Sequence, residues 1–248
     1  LGTTNPVMPA DVLKPWLAKA KADPELSHSG CHEFEGPMPG RQYLITADPA
    51  GFGSTGDKSA LTVWDAQDWK EVAFWEDREA PDRFAQRLKV IQSRYNQALL
   101  AVESNATACI AILKDQGTRN LLWTDRNHPG WYATQKRIQE SEARLVQMLR
   151  QEDIIIQSRG TLHQLLNYDG SKKKRVRGED GIIHHFDRAR TAVMAADILS
   201  KRTFHTPAQE PDSTYTAGQV TVRQLDDIKR HKKQTAKSPF KPASLSWS

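Results

Sequence analysis

Three acidic residues stand where a metal-dependent hydrolase would need them. Asp48 follows the apolar run Tyr43-Leu44-Ile45-Thr46-Ala47, and Glu103 follows Ala98-Leu99-Leu100-Ala101-Val102. Each is a carboxylate at the C-terminal end of a short buried-type strand, the edge of an open sheet where ligands bind. If the two strands are parallel neighbours, their ends lie about 4.8 Å apart. Carboxylates that close repel one another unless a cation sits between them. The third acid, Asp187, follows Ile182-Ile183-His184-His185-Phe186 and opens a helix that can bring it to the same edge. Such a trio can hold two divalent cations, Mg²⁺ or Mn²⁺, the arrangement used for phosphodiester hydrolysis. Each acid also has an ordinary reading: Asp48-Pro49 as a turn starter, Glu103 as the partner of a surface lysine, Asp187 as a helix cap.

A dense run of cations precedes Asp187: Lys172, Lys173, Lys174, Arg175 and Arg177. It can grip phosphates without reading base sequence, or form a solvated hairpin tip. Arg188 is placed either to face a phosphate or to pair with an acid. Trp131, in a loop near the site, is the indole expected to touch DNA, whereas Trp64, Trp75 and Trp123 lie in strands and read as core.

The elements that must position these residues follow from periodicity. Residues 1–40 read as a linker carrying one short helix at about 11–22. The core starts at Tyr43 with three strands joined by short connections, an antiparallel meander. Phe84, Leu88, Ile91 and Tyr95 then fall at helical spacing, and the strand ending at Glu103 follows. Further helices are expected near 106–114, 138–150, 162–166 and 187–199, with short strands at 120–123 and 154–156. The fold class is α/β: a mixed sheet of three antiparallel strands and then parallel strands, with helices on both faces. The domain spans 41–202, and 203–248 is polar, basic and without apolar periodicity, as a disordered tail would be.

The whole chain of 248 residues carries a formal charge of +5, with 38% hydrophobic residues. The excess is small, so its clustering matters more than its total. Cys31 and Cys109 are the only cysteines, too few for a disulfide framework or a Cys-rich zinc site. No apolar stretch approaches a membrane span and no signal peptide is visible, so a cytoplasmic setting is expected. Leu1 opens abruptly in a linker-like stretch, as in a chain cut from something longer.

The motifs resemble those of the nuclease half of tailed-phage terminase large subunits, in the ribonuclease H-like superfamily. Asp48-Pro49-Ala50, with a Gly-rich turn and Gly56-Asp57-Lys58-Ser59-Ala60, resembles the first motif. Val102-Glu103-Ser104-Asn105 resembles the second. Gly130-Trp131-Tyr132-Ala133-Thr134 resembles a Gly-Trp segment before the next helix, and His185-Phe186-Asp187-Arg188 with Ala192, Ala195 and Ala196 resembles the third. The resemblance spans 43–199. It implies a two-metal endonuclease that cuts concatemeric viral DNA during genome packaging in the host cytoplasm, with Asp48, Glu103 and Asp187 as catalytic metal ligands. It also implies Asp57 as an accessory acid near the metals, and double-stranded DNA, portal, terminase small subunit and an ATPase motor as partners. Phe186 stands where the family often has a second Asp, and His184 or His185 can partly replace it as a metal ligand. No phosphate-cradling Gly-x-x-x-x-Gly-Lys-[Ser/Thr] loop occurs, so this chain is not expected to translocate DNA. The alternatives are another ribonuclease H-like nuclease of resolvase or transposase type, or a non-catalytic DNA-binding or docking module of the packaging machine.

Overall fold

A computed structural model describes residues 7–50, 58–105, 107–125, 128–169, 175–177, 183–202 and 204, with backbone alone at 175–177 and 183–185. The elements are α1 (Ala10–Lys19), β1 (His32–Glu33), β2 (Tyr43–Asp48), β3 (Ser59–Asp65), β4 (Lys70–Asp77), α2 (Pro81–Arg94), β5 (Leu99–Val102), α3 (Thr107–Asp115), α4 (Gln135–Arg150), α5 (Arg159–Asn167), β6 (Arg175–Arg177), β7 (Ile183–His185) and α6 (Asp187–Leu199). The main sheet runs β1-β4-β3-β2-β5. β2, β3 and β4 form the expected antiparallel meander, and β5 joins β2 in parallel. This is the expected mixed α/β sheet, three antiparallel strands followed by a parallel one.

Every residue of β2 and β3 is buried, because both faces of the sheet are covered. Side chains alternate between two cores. Ile45, Ala47, Leu61 and Val63 pack against Phe84, Leu88 and Ile91 of α2 and Cys109, Ile110 and Leu113 of α3. Leu44 and Trp64 belong to the opposite core, with Leu145 and Met148 of α4, Leu162 and Leu165 of α5 and much of α6. Helix α6 lies at the centre of that layer with all thirteen of its residues buried. Ala189, Ala192, Ala195 and Ala196 let it approach its neighbours closely. Its polar residues therefore need partners inside the protein.

Three expectations differ from the structure. The segment 27–41, read as linker, supplies β1, which pairs with β4 at His32↔Phe74 and Glu33↔Ala73, and the fully buried Cys31. Two residues held by backbone pairing leave no periodicity to read. Trp123, read as core, is 42% exposed, with Lys114 over its ring. The expected strands at 120–123 and 154–156 are reduced to isolated bridges, Leu100↔Leu121, Trp123↔Pro129 and Trp123↔Gly130 in the first and Lys70↔Ile155 in the second. Both cysteines are free and buried. Among the described residues, no helix is long and apolar enough to cross a membrane.

Candidate active site

The ends of β2 and β5 bring Asp48 and Glu103 together. The strands pair at Ala47↔Val102, and the Glu103 amide donates to the Ala47 carbonyl at 2.9 Å, which extends the ladder by one step. The segment after Gly130 backs Glu103 from the other side. The Trp131 amide donates to the Val102 carbonyl at 2.7 Å, and the Ser104 amide to the Trp131 carbonyl at 3.0 Å. Asp48 is 1% exposed and Glu103 4%. Across the sheet, Asp48 pairs with Ala60 and Ala60 with Glu76, so one row of the sheet carries three acids on one face.

Helix α6 covers that face. Thr191 Oγ1 is 2.7 Å from Thr62 Oγ1, one alternation back from the acid row. Arg188 reaches Glu76 at 3.2 Å, and Arg190 reaches both strand-end acids: Nε is 3.5 Å from Asp48 Oδ2, and Nη2 donates to Glu103 Oε1 at 2.8 Å. Asn105 Nδ2 donates to the same Glu103 oxygen at 2.9 Å. Asp187 is fully buried and opens α6, one turn before Thr191. Burial alone would lower the Arg190 pKa, but Asp48 and Glu103 offset this and raise it above the ordinary arginine value.

Asp48 and Glu103, among the described residues, thus share the guanidinium of Arg190. Among the described residues, no three His, Cys, Asp or Glu side chains stand close enough together, as placed, to hold a metal ion. The donor set nonetheless suits one. Two buried carboxylates already share a positive charge, and oxygen donors favour hard divalent cations.

Other expected residues fall elsewhere. Trp131 is 1% exposed, and its Nε1 donates to Asp197 Oδ2 at 2.8 Å, so it is a core pin and not a DNA contact. Arg188 does not face a phosphate. It is buried, stacked 4.3 Å over Phe74, and bound to Asp23 at 3.0 Å, Ser158 Oγ at 3.0 Å and Glu76. Phe186 is fully buried, edge-on to Tyr168. Arg175 pairs with His185 through the backbone of the β6–β7 ladder, and the side chains of Arg175, Arg177, His184 and His185 lie outside the description. Asp57, Lys172, Lys173 and Lys174 lie outside the described residues.

Sequence reasoning missed Arg190 and Glu76. Arg190 had a usable signal, since a residue three positions after Asp187 on a helix shares its face. Glu76 had none, because only the register of β3 with β2 and β4 puts it in the same row as Asp48, across Ala60.

No protein-family model and no curated protein matches this chain. Solved structures do. The large terminase nuclease from thermophilic phage G20c is 17% identical over 77% of this chain and 98% of that chain, with a TM-score of 0.54. The same nuclease with bound magnesium is 17% identical over 78% and 97%, with a TM-score of 0.56. The large terminase nuclease domain of Thermus phage P74-26 is 18% identical over 74% and 93%, with a TM-score of 0.52. The chain therefore shares the ribonuclease H-like α/β fold of these nuclease domains.

Proposed function

We propose that the chain is a metal-dependent DNA endonuclease domain of the large terminase type, which cuts concatemeric viral DNA during genome packaging in the host cytoplasm. The observation that carries this reading is the pair of buried acids at adjoining parallel strand ends, Asp48 and Glu103, sharing one cation beneath the helix that Asp187 opens. The fold supports it, since similar structures are terminase nucleases, among them ones solved with bound magnesium, cobalt and zinc.

Asp48, Glu103 and Asp187 would hold two divalent ions, Mg²⁺ or Mn²⁺, with Asp57 as an accessory acid and His185 as a further candidate ligand. Bound there, the ions supply activation of the attacking water and neutralise charge at the phosphate. The protein's own part is to fix the two strand-end carboxylates through the β2–β5 ladder and to keep them in a buried, low-dielectric setting. The basic segment with Lys172, Lys173, Lys174, Arg175 and Arg177 would hold the backbone of double-stranded DNA, since it leads through β7 directly into Asp187. Portal, terminase small subunit and an ATPase motor are the partners this reading requires.

The test is nicking of supercoiled plasmid in Mn²⁺, with and without EDTA. Cutting is expected in Mn²⁺ alone and is abolished in Asp48→Ala and Asp187→Ala variants that retain the wild-type circular dichroism spectrum. Undiminished cutting by either variant overturns the assignment. A chain that neither binds Mn²⁺ nor nicks would be a non-catalytic docking module, and preferential cutting of branched duplexes would make it a resolvase.

A further inference from the structure

Arg190 is the unexpected member of the site. Its guanidinium comes from the fully buried α6, is only 9% exposed, and meets a carboxylate from each of two strands. A surface arginine paired this way would contribute little. Here water is excluded, so removing one partner leaves a buried charge uncompensated, at a large cost in stability. The contacts are also made to the carboxylate groups that the proposed metal site uses. Glu103 Oε1 already accepts from Arg190 and from Asn105. A divalent ion binding carboxylate oxygen at about 2.0–2.1 Å needs those lone pairs, and it repels a guanidinium held against them.

We propose that Arg190 is the resident counter-cation of the metal-free site, which holds Asp48 and Glu103 together and must leave them when divalent ions bind. This rests on the metal-site reading above and adds a control to it. The two acids stay compensated and the fold stays intact without metal, and the metal must displace a cation already in place. Apparent metal affinity is then set by a competition, and Arg190 raises the metal concentration at which the nuclease switches on.

A permanent structural role and a competing role make opposite predictions for metal binding. If Arg190 only positions the carboxylates, its removal splays them and weakens binding. If it competes, removal tightens binding while destabilising the metal-free protein. The test is calorimetric titration of Mn²⁺ into the full chain, with thermal unfolding in EDTA and in Mn²⁺, for wild type, Arg190→Gln and Arg190→Lys. Arg190→Gln is expected to bind Mn²⁺ about tenfold tighter, the scale of one charge-assisted hydrogen bond no longer opposed. It should also melt below wild type in EDTA and gain more in Tm on adding Mn²⁺. Arg190→Lys, a point charge that cannot fork across both acids, should fall between the two. Unchanged or weaker Mn²⁺ binding by a folded Arg190→Gln overturns the proposal. If that variant does not fold without metal, Arg190→Lys decides on the same criterion. Wild-type heat with no shift in the variants removes the competition alone, whereas no Mn²⁺ heat in wild type removes the metal-site reading and this proposal with it.

Discussion

The indole of Trp131 donates to Asp197 Oδ2 at 2.8 Å, which ties the segment that backs Glu103 to the last turns of α6. Asp197 also accepts from Arg137 Nε at 2.8 Å and from Lys201. Burial would raise its pKa, but the bonds from Lys201, Trp131 and Arg137 hold it below the ordinary 3.8. A depressed carboxylate stabilises the fold above its unfolded pKa, and that stability is lost as pH falls through the folded value. Asp197→Ala leaves Trp131, Arg137 and Lys201 without their shared acceptor and should cost about 3 kcal/mol at pH 7. The gap to wild type should shrink at pH 3, as wild type itself loses the charge. Urea unfolding at the two pH values checks this, and an equal gap at both would refute it.

Gly130 makes the approach to Glu103 possible. Its φ is +85°, and an added Cβ would lie 2.4 Å from the Val102 carbonyl oxygen and 2.9 Å from Ile110 Cδ1. The backbone cannot retreat without breaking the bonds of Gly130 to Leu122 at 2.6 Å and Trp131 to Val102 at 2.7 Å. Gly130→Ala should therefore cost on the order of 3 kcal/mol, strain and overpacking together. Gly36→Ala is the control. Its Cβ would meet nothing within 4 Å. Its loss should be the smaller of the two in urea midpoints, and the reverse order would count against this reading.

The positions of Asp48 and Glu103 were legible because each ends an apolar run, and the alternation of buried residues reported which strands were central. The strands β2 to β5 and the helices α2 to α6 were legible from apolar periodicity, whereas the expected strands at 120–123 and 154–156 were not formed. What the sequence withheld is tertiary pairing. Arg188 and Arg190 differ by two positions on one helix, and nothing local tells which acids they meet, since Glu76, Asp23, Asp48 and Glu103 come from three strands and a loop. Trp131 looked accessible because it follows Gly130 in a loop. The loop in fact turns inward, and an indole N–H inside a core needs an acceptor, here supplied by a distant aspartate.

Because Arg188 is bound to Asp23, Ser158 and Glu76, it should carry stability and not DNA affinity. Arg188→Gln is expected to lose about 3 kcal/mol on urea unfolding, the range for breaking a buried charge network. The salt dependence of DNA binding should keep its wild-type slope, since each phosphate contact contributes about 0.9 to that slope. A slope smaller by about one unit would put Arg188 on the DNA.

Glu71 gives the network a pH dependence. It is fully buried, with Oε2 accepting from the Ser158 amide at 2.9 Å and Oε1 from Thr161 Oγ1 at 3.1 Å. Burial pushes its pKa from 4.5 up to about 7, against the opposing pull of the Ser158 amide and Arg188. Between these values the folded state keeps a proton that the unfolded chain releases. Stability therefore falls as pH rises from about 4.5 to 7, by up to ~1.4 kcal/mol per pH unit, and is level above. Glu71→Gln keeps both contacts, its amide oxygen accepting from Ser158 and its nitrogen donating to Thr161, but has no proton to lose. The variant should match wild type near pH 5 and exceed it at pH 8. Urea unfolding across that range checks this: the difference between the two proteins must grow with pH and then plateau, and parallel curves would show that the carboxyl is ionised throughout.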